Sequence, residues 1–456
     1  MTAALFSPDL IRRYDRQGPR YTSYPSADHF ESPFDPARAH QALAQRDPAR
    51  DLSLYFHIPF CKTLCFYCGC HRIPTRRTDR GRVYVDHLIR ELQVVSASLI
   101  GRRLVRQIHF GGGTPTFLQE DDLTRLMAVV HDLFDVTANA QCGIEVDPRA
   151  VDGDRIAHLA SLGFNRLSVG VQDFDPLVQR AIHRVQSREE TFAVLAAARA
   201  HGFKSVSVDL IYGLPHQTRE RFAATLAAVT AERPDRVVVY NYAHLPERFP
   251  AQARMPADAL PSGEAKLALL GQTIATLTLA GYEYIGMDHF ALATDELARA
   301  RRNGTLQRNF QGYSTHGDCD LLGFGVSAIG AVGGTFLQNH KDLQAWETAV
   351  LAGQLPVQRG LVQTAEDRRR GRLIQSLMCQ EVTDGAAVTG LTGAAFWHWC
   401  ADSIPALEAL QADGLIALEG EQIRVLPPGQ LLIRHIAMAF DAHLQAGPGA
   451  RYSKVI

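Results

Sequence analysis

The chain has 456 residues, of which 46% are hydrophobic, and a formal net charge of -1. That length buries a large core and suits two or three domains, and the near-neutral balance lacks the basic excess that nucleic-acid phosphates demand. No run approaches the ~18 to 20 apolar residues of a membrane span, and the opening "MTAALFSPDLIRRYDRQGPR" shows no export signal. A cytoplasmic protein without nucleic-acid or membrane partners is therefore expected, with reduced thiols.

Residues 1–50 are rich in Pro, Arg, Asp and Ser and contain "GPRYTSYPSADHF" (18–30), which reads as an ordered arm lying on another part of the chain. From 51 to about 245, β-rich runs recur at 52–58, 105–110, 142–146, 164–169, 205–211 and 236–240. Helical patterns lie between most of them, at 83–99, 121–134 and 188–203, the last ending at Gly202 as a helix stop. Strand and helix in alternation mean parallel βα units, and six strands suit an incomplete parallel (β/α)6 barrel better than a closed eight-fold one. Unusual residues gather at the strand ends "HFGGGTP", "EVDPR", "VGVQDF", "DLIYGLP" and "YNYAHLP", where βα folds carry their sites. Residues 308–334 read as loop and short strands closing over the barrel, and those from about 360 onward as mainly helical. The stretch 407–444 has a helix, hairpin, helix pattern and no basic face for DNA. The expected division is an arm (1–50), a partial barrel (51–275), a barrel-covering extension (276–355) and a mainly helical C-terminal domain (356–456).

After the first strand comes "CKTLCFYCGC" (61–70), four cysteines in ten residues. Cys61, Cys65 and Cys68 form one tight loop, and no second compact Cys/His pair follows to complete a zinc tetrahedron. Such spacing suits thiolates around a [4Fe–4S] cube. Three ligands would leave one iron open for catalysis; Cys70 as a fourth would give a closed electron carrier. Crowding beside Cys68 argues against Cys70 as a ligand. Cys142, Cys319, Cys379 and Cys400 are expected to be ordinary buried residues, and His57 and His71 hydrogen-bonding loop residues. The basic stretch "HRIPTRRTDRGR" (71–82) reads as a solvated loop and helix start.

With its CxxxCxxC spacing after a first strand, the chain resembles the radical S-adenosylmethionine enzymes. "CxxxCxxCxC" together with "GPRYTSYP" is similar to the oxygen-independent coproporphyrinogen III oxidases within that superfamily. The likeness continues through "YFHIPFC", "FGGGTPTFL", "IEVDPR", "GFNRLSVGVQDF", "DLIYGLP", "NYAHLP", "GMDHF", "NFQGYST" and "DLLGFGVSAIG" to the final "YSKVI". A haem-chaperone-like branch of the superfamily lacks the last cysteine and the arm. That branch, and a four-cysteine electron-transfer or zinc protein, are the rival readings.

The resemblance implies a [4Fe–4S] cluster on Cys61, Cys65 and Cys68 and two molecules of S-adenosylmethionine. It matches Tyr55, Gly112, Gly113, Thr114 and Glu145 to the approach to the first molecule. Gln172, Arg184 and Asp209 match the second, with Tyr67, Ala243 and Ile329 nearby. A buried Arg184–Asp209 pair bracing the barrel is the structural alternative for those two residues. The implied reaction converts two propionates of coproporphyrinogen III into vinyl groups, giving protoporphyrinogen IX, with an unidentified electron donor and acceptor and a monomeric enzyme. A substrate with four carboxylates needs cationic partners, for which Arg20, Arg72, Arg76 and Arg77 are candidates, with Gln311 on a covering loop.

Overall fold

Six strands fix the architecture, and the helices that connect them cover one face of the sheet. Leu52–Ile58 (β1), Leu104–Gly112 (β2), Asp135–Val146 (β3), Arg166–Gln172 (β4), Ser205–Tyr212 (β5) and Arg236–Asn241 (β6) pair in parallel in their order along the chain. The computed structural model describes residues 5–14 and 16–444; the terminal "YSKVI" lies outside the described residues. Helices Asp79–Ser98 (α1), Glu120–Leu133 (α2), Gly153–Ser161 (α3), Arg188–Ala200 (α4) and Arg219–Glu232 (α5) connect the strands, and Gly263–Leu279 (α6) follows β6. Their starts are set locally. Asp152, Thr218 and Ser262 accept from first-turn amides, and Ser187 closes a capping box with Glu190. The stop expected at Gly202 is present, with φ of +80° two residues beyond α4.

Side chains alternate along the strands. Phe56, Phe110 and Phe324 stack toward the helices with centroids 4.6 and 5.2 Å apart. They join Ile108, Ile144, Leu167, Val208 and Leu210 in the main core. The residues of opposite parity face inward and are polar: Tyr55 and His57 on β1, His109 on β2, Glu145 on β3, Ser168 on β4 and Asp209 on β5. Register places them side by side, with Tyr55 opposite His109 and Glu145 opposite Ser168.

The expected covering extension (276–355) does more than cover this barrel: it extends the sheet at both edges, and the extension runs on to Val362, past the expected boundary. Tyr282–Gly286 (β7) and His289–Leu292 (β8) add an antiparallel hairpin beyond β6. Asp320–Phe324 (β9) pairs with β1 in parallel, making a seventh parallel strand. Ile329–Val332 (β10), Thr335–Asn339 (β11) and Val357–Val362 (β12) continue antiparallel. The sheet therefore runs β12-β11-β10-β9-β1-β2-β3-β4-β5-β6-β8-β7 without closing, and Glu31 of the arm bridges to Gly360 on its β12 edge. A second core is built on helix Ala365–Cys379 and a three-stranded sheet (Val382–Asp384, Ile416–Glu419, Gln422–Val425), and it takes in Tyr14, Tyr21 and Tyr24 of the arm. The arm is thus ordered against the C-terminal part. No helix among the described residues is long and apolar enough to cross a membrane.

One buried ion pair fastens β9 beside β1. Arg46 Nε donates to Asp320 at 2.8 Å, and its Nη1 donates to the carbonyls of Ile100 and Arg102 at 3.0 Å. Both side chains are almost wholly enclosed. Asp320→Ala strips a buried guanidinium of its main counter-charge and is expected to cost about 3–5 kcal/mol in chemical denaturation. Asp79→Ala, which breaks the exposed pair with Arg77 and removes a first-turn acid of α1, is expected to cost no more than about 1 kcal/mol. Equal midpoints for the two variants would show that the Arg46 pair does not hold the strand.

Candidate active site

The cysteine loop leaves the carboxyl end of β1 and is anchored on several sides. Phe60–Cys61 pairs with Ile73–Pro74, and Thr75 N–H donates to the Cys61 carbonyl at 2.9 Å. Phe66 N–H donates to the Ile182 carbonyl at 3.0 Å, and Gln252 Nε2 to the Tyr67 carbonyl at 3.0 Å. Phe66 also stacks on His183, with centroids 4.8 Å apart.

All eight cysteines are free thiols. Cys142, Cys319, Cys379 and Cys400 are buried away from the loop, as expected. Three of the four loop sulfurs have a donor aimed at them. Thr114 Oγ1 lies 3.5 Å from Cys61 Sγ. Arg184 Nη1 and Arg149 Nη2 lie 3.6 and 3.7 Å from Cys65 Sγ. The Cys70 amide lies 3.4 Å from Cys68 Sγ. The Cys70 side chain, with help from Arg72 and the Cys70 amide, lowers the Cys68 thiol, while its bond to Cys68 holds the Cys70 thiol well above its ordinary value. Donors of this kind stabilise thiolates, the form that binds metal. Among the described residues, the group whose ligand atoms all fall within 4.8 Å is His316, Asp318 and Cys319, not the cysteine loop.

Asp147, at the end of β3, organises the two guanidiniums. Arg149 donates to both its oxygens at 2.9 and 2.6 Å, and Arg184 to both at 3.4 Å. Arg184 also donates to the Gly170 carbonyl at 2.7 Å and to Gln186 at 3.0 Å. The alternative of a direct Arg184–Asp209 pair is therefore overturned: Arg184 pairs with Asp147, and Asp209 accepts from Ser168 Oγ at 3.2 Å. Asp147 sits two residues beyond Glu145 on the same face of one strand, within reach of both arginines.

The inner face holds a second set. The Tyr55 ring lies parallel to His109, centroids 6.1 Å apart, and its hydroxyl meets His57 Nδ1 at 3.1 Å. His57 uses its other nitrogen on the His71 carbonyl at 2.9 Å, and burial lowers the ring to about 4; it is neutral and hydrogen-bonded, but it lies on β1 and not in a loop as expected. His71 Nε2 is buried with no partner. Glu145 accepts from the Gly112 amide at 3.3 Å and lies 3.4 Å from His109 Nε2. Burial pushes the Glu145 carboxyl up, but His109 and the amide outweigh it and the net direction is down. Although surrounded by protein, Glu145 keeps 44% of its side-chain surface accessible, as a residue lining a cavity does. Burial, with the charge of Glu145, pushes Asp209 up to about 7.

The glycines are required by packing. A Cβ on Gly112 would lie 2.6 Å from the His57 ring, at a φ of +111°, and one on Gly113 would lie 2.6 Å from the Pro59 carbonyl. Gly113 and Thr114 spend their amides on the carbonyls of Ile58 and Phe60. Gln172 ends β4 at a φ of +67°, buried beside Gly170 and Arg184. Such strain in a non-glycine residue concentrates at functional sites. Tyr67 packs beside the apolar cluster of Val178, Ile182 and Tyr242. Ala243 follows β6, and Ile329 opens β10 against Gly323, the register partner of Tyr55. The fold thus gathers Tyr55, Gly112, Glu145 and Asp209 on the inner face and Tyr67, Gln172 and Arg184 around Cys65. Arg20 and Gln311 lie apart, at the barrel's open side.

Residues 55–229 match the Radical SAM superfamily and residues 363–432 the HemN C-terminal domain. The oxygen-independent coproporphyrinogen III oxidase of Pseudomonas aeruginosa is 47% identical over 453 residues, covering 98% of each chain. That of Escherichia coli is also 47% identical, over 448 residues and 98% of each chain. The chain belongs to the oxygen-independent coproporphyrinogen III oxidase family. Its structure superposes on the Escherichia coli coproporphyrinogen III oxidase (HemN), described as a radical SAM enzyme, with a TM-score of 0.91 at 45% identity, over 96% of this chain and 99% of that one. Within this family the reaction uses a [4Fe–4S] cluster and S-adenosylmethionine, and the loop with three donor-supported sulfurs fits the first of these. The oxidase family's second shared feature, the arm, is here buried in the C-terminal core.

Sequence reasoning missed His109, Asp147, Arg149 and Ser168. Asp147 and Arg149 were within "EVDPR", where alternation puts Asp147 on the face of Glu145. Nothing in the sequence pairs them with Arg184. After anaerobic reconstitution, Cys61→Ser, Cys65→Ser and Cys68→Ser are each expected to lose most of the roughly four irons per chain, while Cys70→Ser keeps them. Iron and sulfide analysis checks this, and loss of iron in Cys70→Ser would make Cys70 a ligand.

Proposed function

We propose that the chain carries out the anaerobic oxidative decarboxylation of two propionate side chains of coproporphyrinogen III to vinyl groups, giving protoporphyrinogen IX. The observation that carries this reading is likeness over 98% of the chain to relatives of that name, joined to a thiol loop at the carboxyl edge of the barrel. Each propionate loses carbon dioxide, a hydrogen atom and an electron. When bound, the cluster and S-adenosylmethionine supply one-electron reduction and hydrogen-atom abstraction.

The chain's own residues bind, orient and exclude. Cys61, Cys65 and Cys68 hold the cluster, and Cys70 serves it by donating to Cys68. Tyr55, Gly112, Gly113, Thr114 and Glu145 border the first S-adenosylmethionine, and Glu145, kept ionised by His109, accepts from ribose hydroxyls. Gln172, Arg184 and Asp209, with Tyr67, Ala243 and Ile329, border a second. Arg184 is fixed by Asp147, so it offers charge at a set position. Arg20 and Gln311 face the substrate. The enzyme works as a monomer with a separate electron donor and acceptor.

One anaerobic assay tests the reading. The reconstituted, reduced protein is given S-adenosylmethionine and coproporphyrinogen III. The expected products are 5′-deoxyadenosine, methionine and protoporphyrinogen IX, with two S-adenosylmethionines consumed per product. No 5′-deoxyadenosine from an intact reduced cluster would overturn it. Stable haem binding without decarboxylation would point instead to a chaperone-like relative.

A further inference from the structure

The open side of the barrel is crossed by a hairpin of Gln307–Asn309 and Gly312–Ser314. It touches both flanks of the gap. Phe310 packs on Phe336 of β11 with centroids 5.8 Å apart, and Gly312 lies against the His289 ring of β8. Ser314 Oγ reaches Gln107 on the inner face at 3.4 Å.

Buried donors without acceptors are rare in native proteins, and an unpaired buried cation is costlier still. This hairpin has two unmet donors, Arg308 Nη1 and Gln311 Nε2. Arg308 is 6% exposed. Its Nε donates to the Arg20 carbonyl at 3.3 Å and its guanidinium lies 4.8 Å over the Tyr313 ring. No carboxylate among the described residues forms a salt bridge with it. Arg20 of the arm lies alongside and is paired with Asp288, on the turn between β7 and β8, yet 37% of the Arg20 side chain stays accessible. Arg434 adds a third positive charge and secures the arm by donating to the Gly18 and Pro19 carbonyls. Burial and the charges of Arg20 and Arg308 bring the Arg434 guanidinium down to about 10. Tyr21 and Met287, the neighbours of Arg20 and Asp288, both adopt left-handed backbone, with φ of +47° and +50°. The wall is therefore cationic, strained and short of acceptors, and one mobile carboxylate would relieve it.

We propose that Arg308 and Arg20 together bind one propionate carboxylate of the substrate, and that Asp288 holds Arg20 until that carboxylate displaces it. This rests on the substrate reading given above. Guanidinium forks match carboxylate geometry, so the subsite selects a carboxylate-bearing macrocycle over its esters. Arg308 and Asp288 are binding and positioning residues.

Binding of coproporphyrin III, an oxygen-stable tetracarboxylate, to the cluster-loaded protein is followed by fluorescence titration, with the tetramethyl ester as control. Arg308→Gln is expected to raise the Kd at least tenfold and the KM for coproporphyrinogen III in parallel, with iron content unchanged and Arg308→Lys recovering part of the loss. Asp288→Asn frees Arg20 and is expected to lower the Kd several-fold. The ester should bind all variants equally weakly. Wild-type affinity in Arg308→Gln overturns the proposal. Should that variant fail to fold, unchanged affinity in Asp288→Asn overturns it instead. If the wild-type protein neither binds coproporphyrin III nor forms a vinyl product, the substrate reading itself fails, an outcome distinct from a binding wild type with indifferent variants.

Discussion

Asp147 settles the charge of the whole site. Its two oxygens hold Arg149 and Arg184, and those guanidiniums are aimed at the sulfur of Cys65. Without this carboxylate, two partly buried cations would face each other across the end of β3. With it they become fixed donors on a thiol that metal binding turns into a thiolate. Arg184 in turn ties Gly170 and Gln186 into the same network, so the cysteine loop, the end of β3 and the end of β4 are positioned by a single anion.

The open barrel follows from how its edges are used. Parallel strands need crossovers and both faces covered, and six units cannot close a circle that eight would. The chain adds antiparallel strands at both edges and lets a hairpin cross the gap between them. Glu145 and Asp209 illustrate the electrostatic result: two carboxylates on one wall take opposite directions, one down beside His109 and one up through burial and its neighbour's charge.

Much of this was legible in the chain. The six parallel strands, the main helices and the arm came from period and punctuation, because those signals are local. Cys61, Cys65 and Cys68 came from spacing, and each of their sulfurs meets a donor in the fold. The seventh parallel strand was not legible: "DLLGF" is short, lies nearly 80 residues after β6 in the numbering, and pairs with β1 by a long-range register that no local pattern encodes. The same limit applies to Arg184. Its burial could be guessed, but the identity of its partner depended on which of several strand-end acids the register brought near. Cys70 was set aside as crowded, and the structure gives it a backbone donation to Cys68. Any residue with a backbone N–H would supply that bond, so it does not account for the cysteine side chain.

The arm belongs to two places at once. Tyr14, Tyr21 and Tyr24 are buried in the C-terminal core, while Arg20 between them reaches the barrel wall. The first and last portions of the gene therefore encode one interlocked body, separated by some 300 codons of barrel. Recombination that exchanged only the 3′ portion between relatives would pair foreign tyrosine sockets with a resident arm. The two ends have to be inherited together.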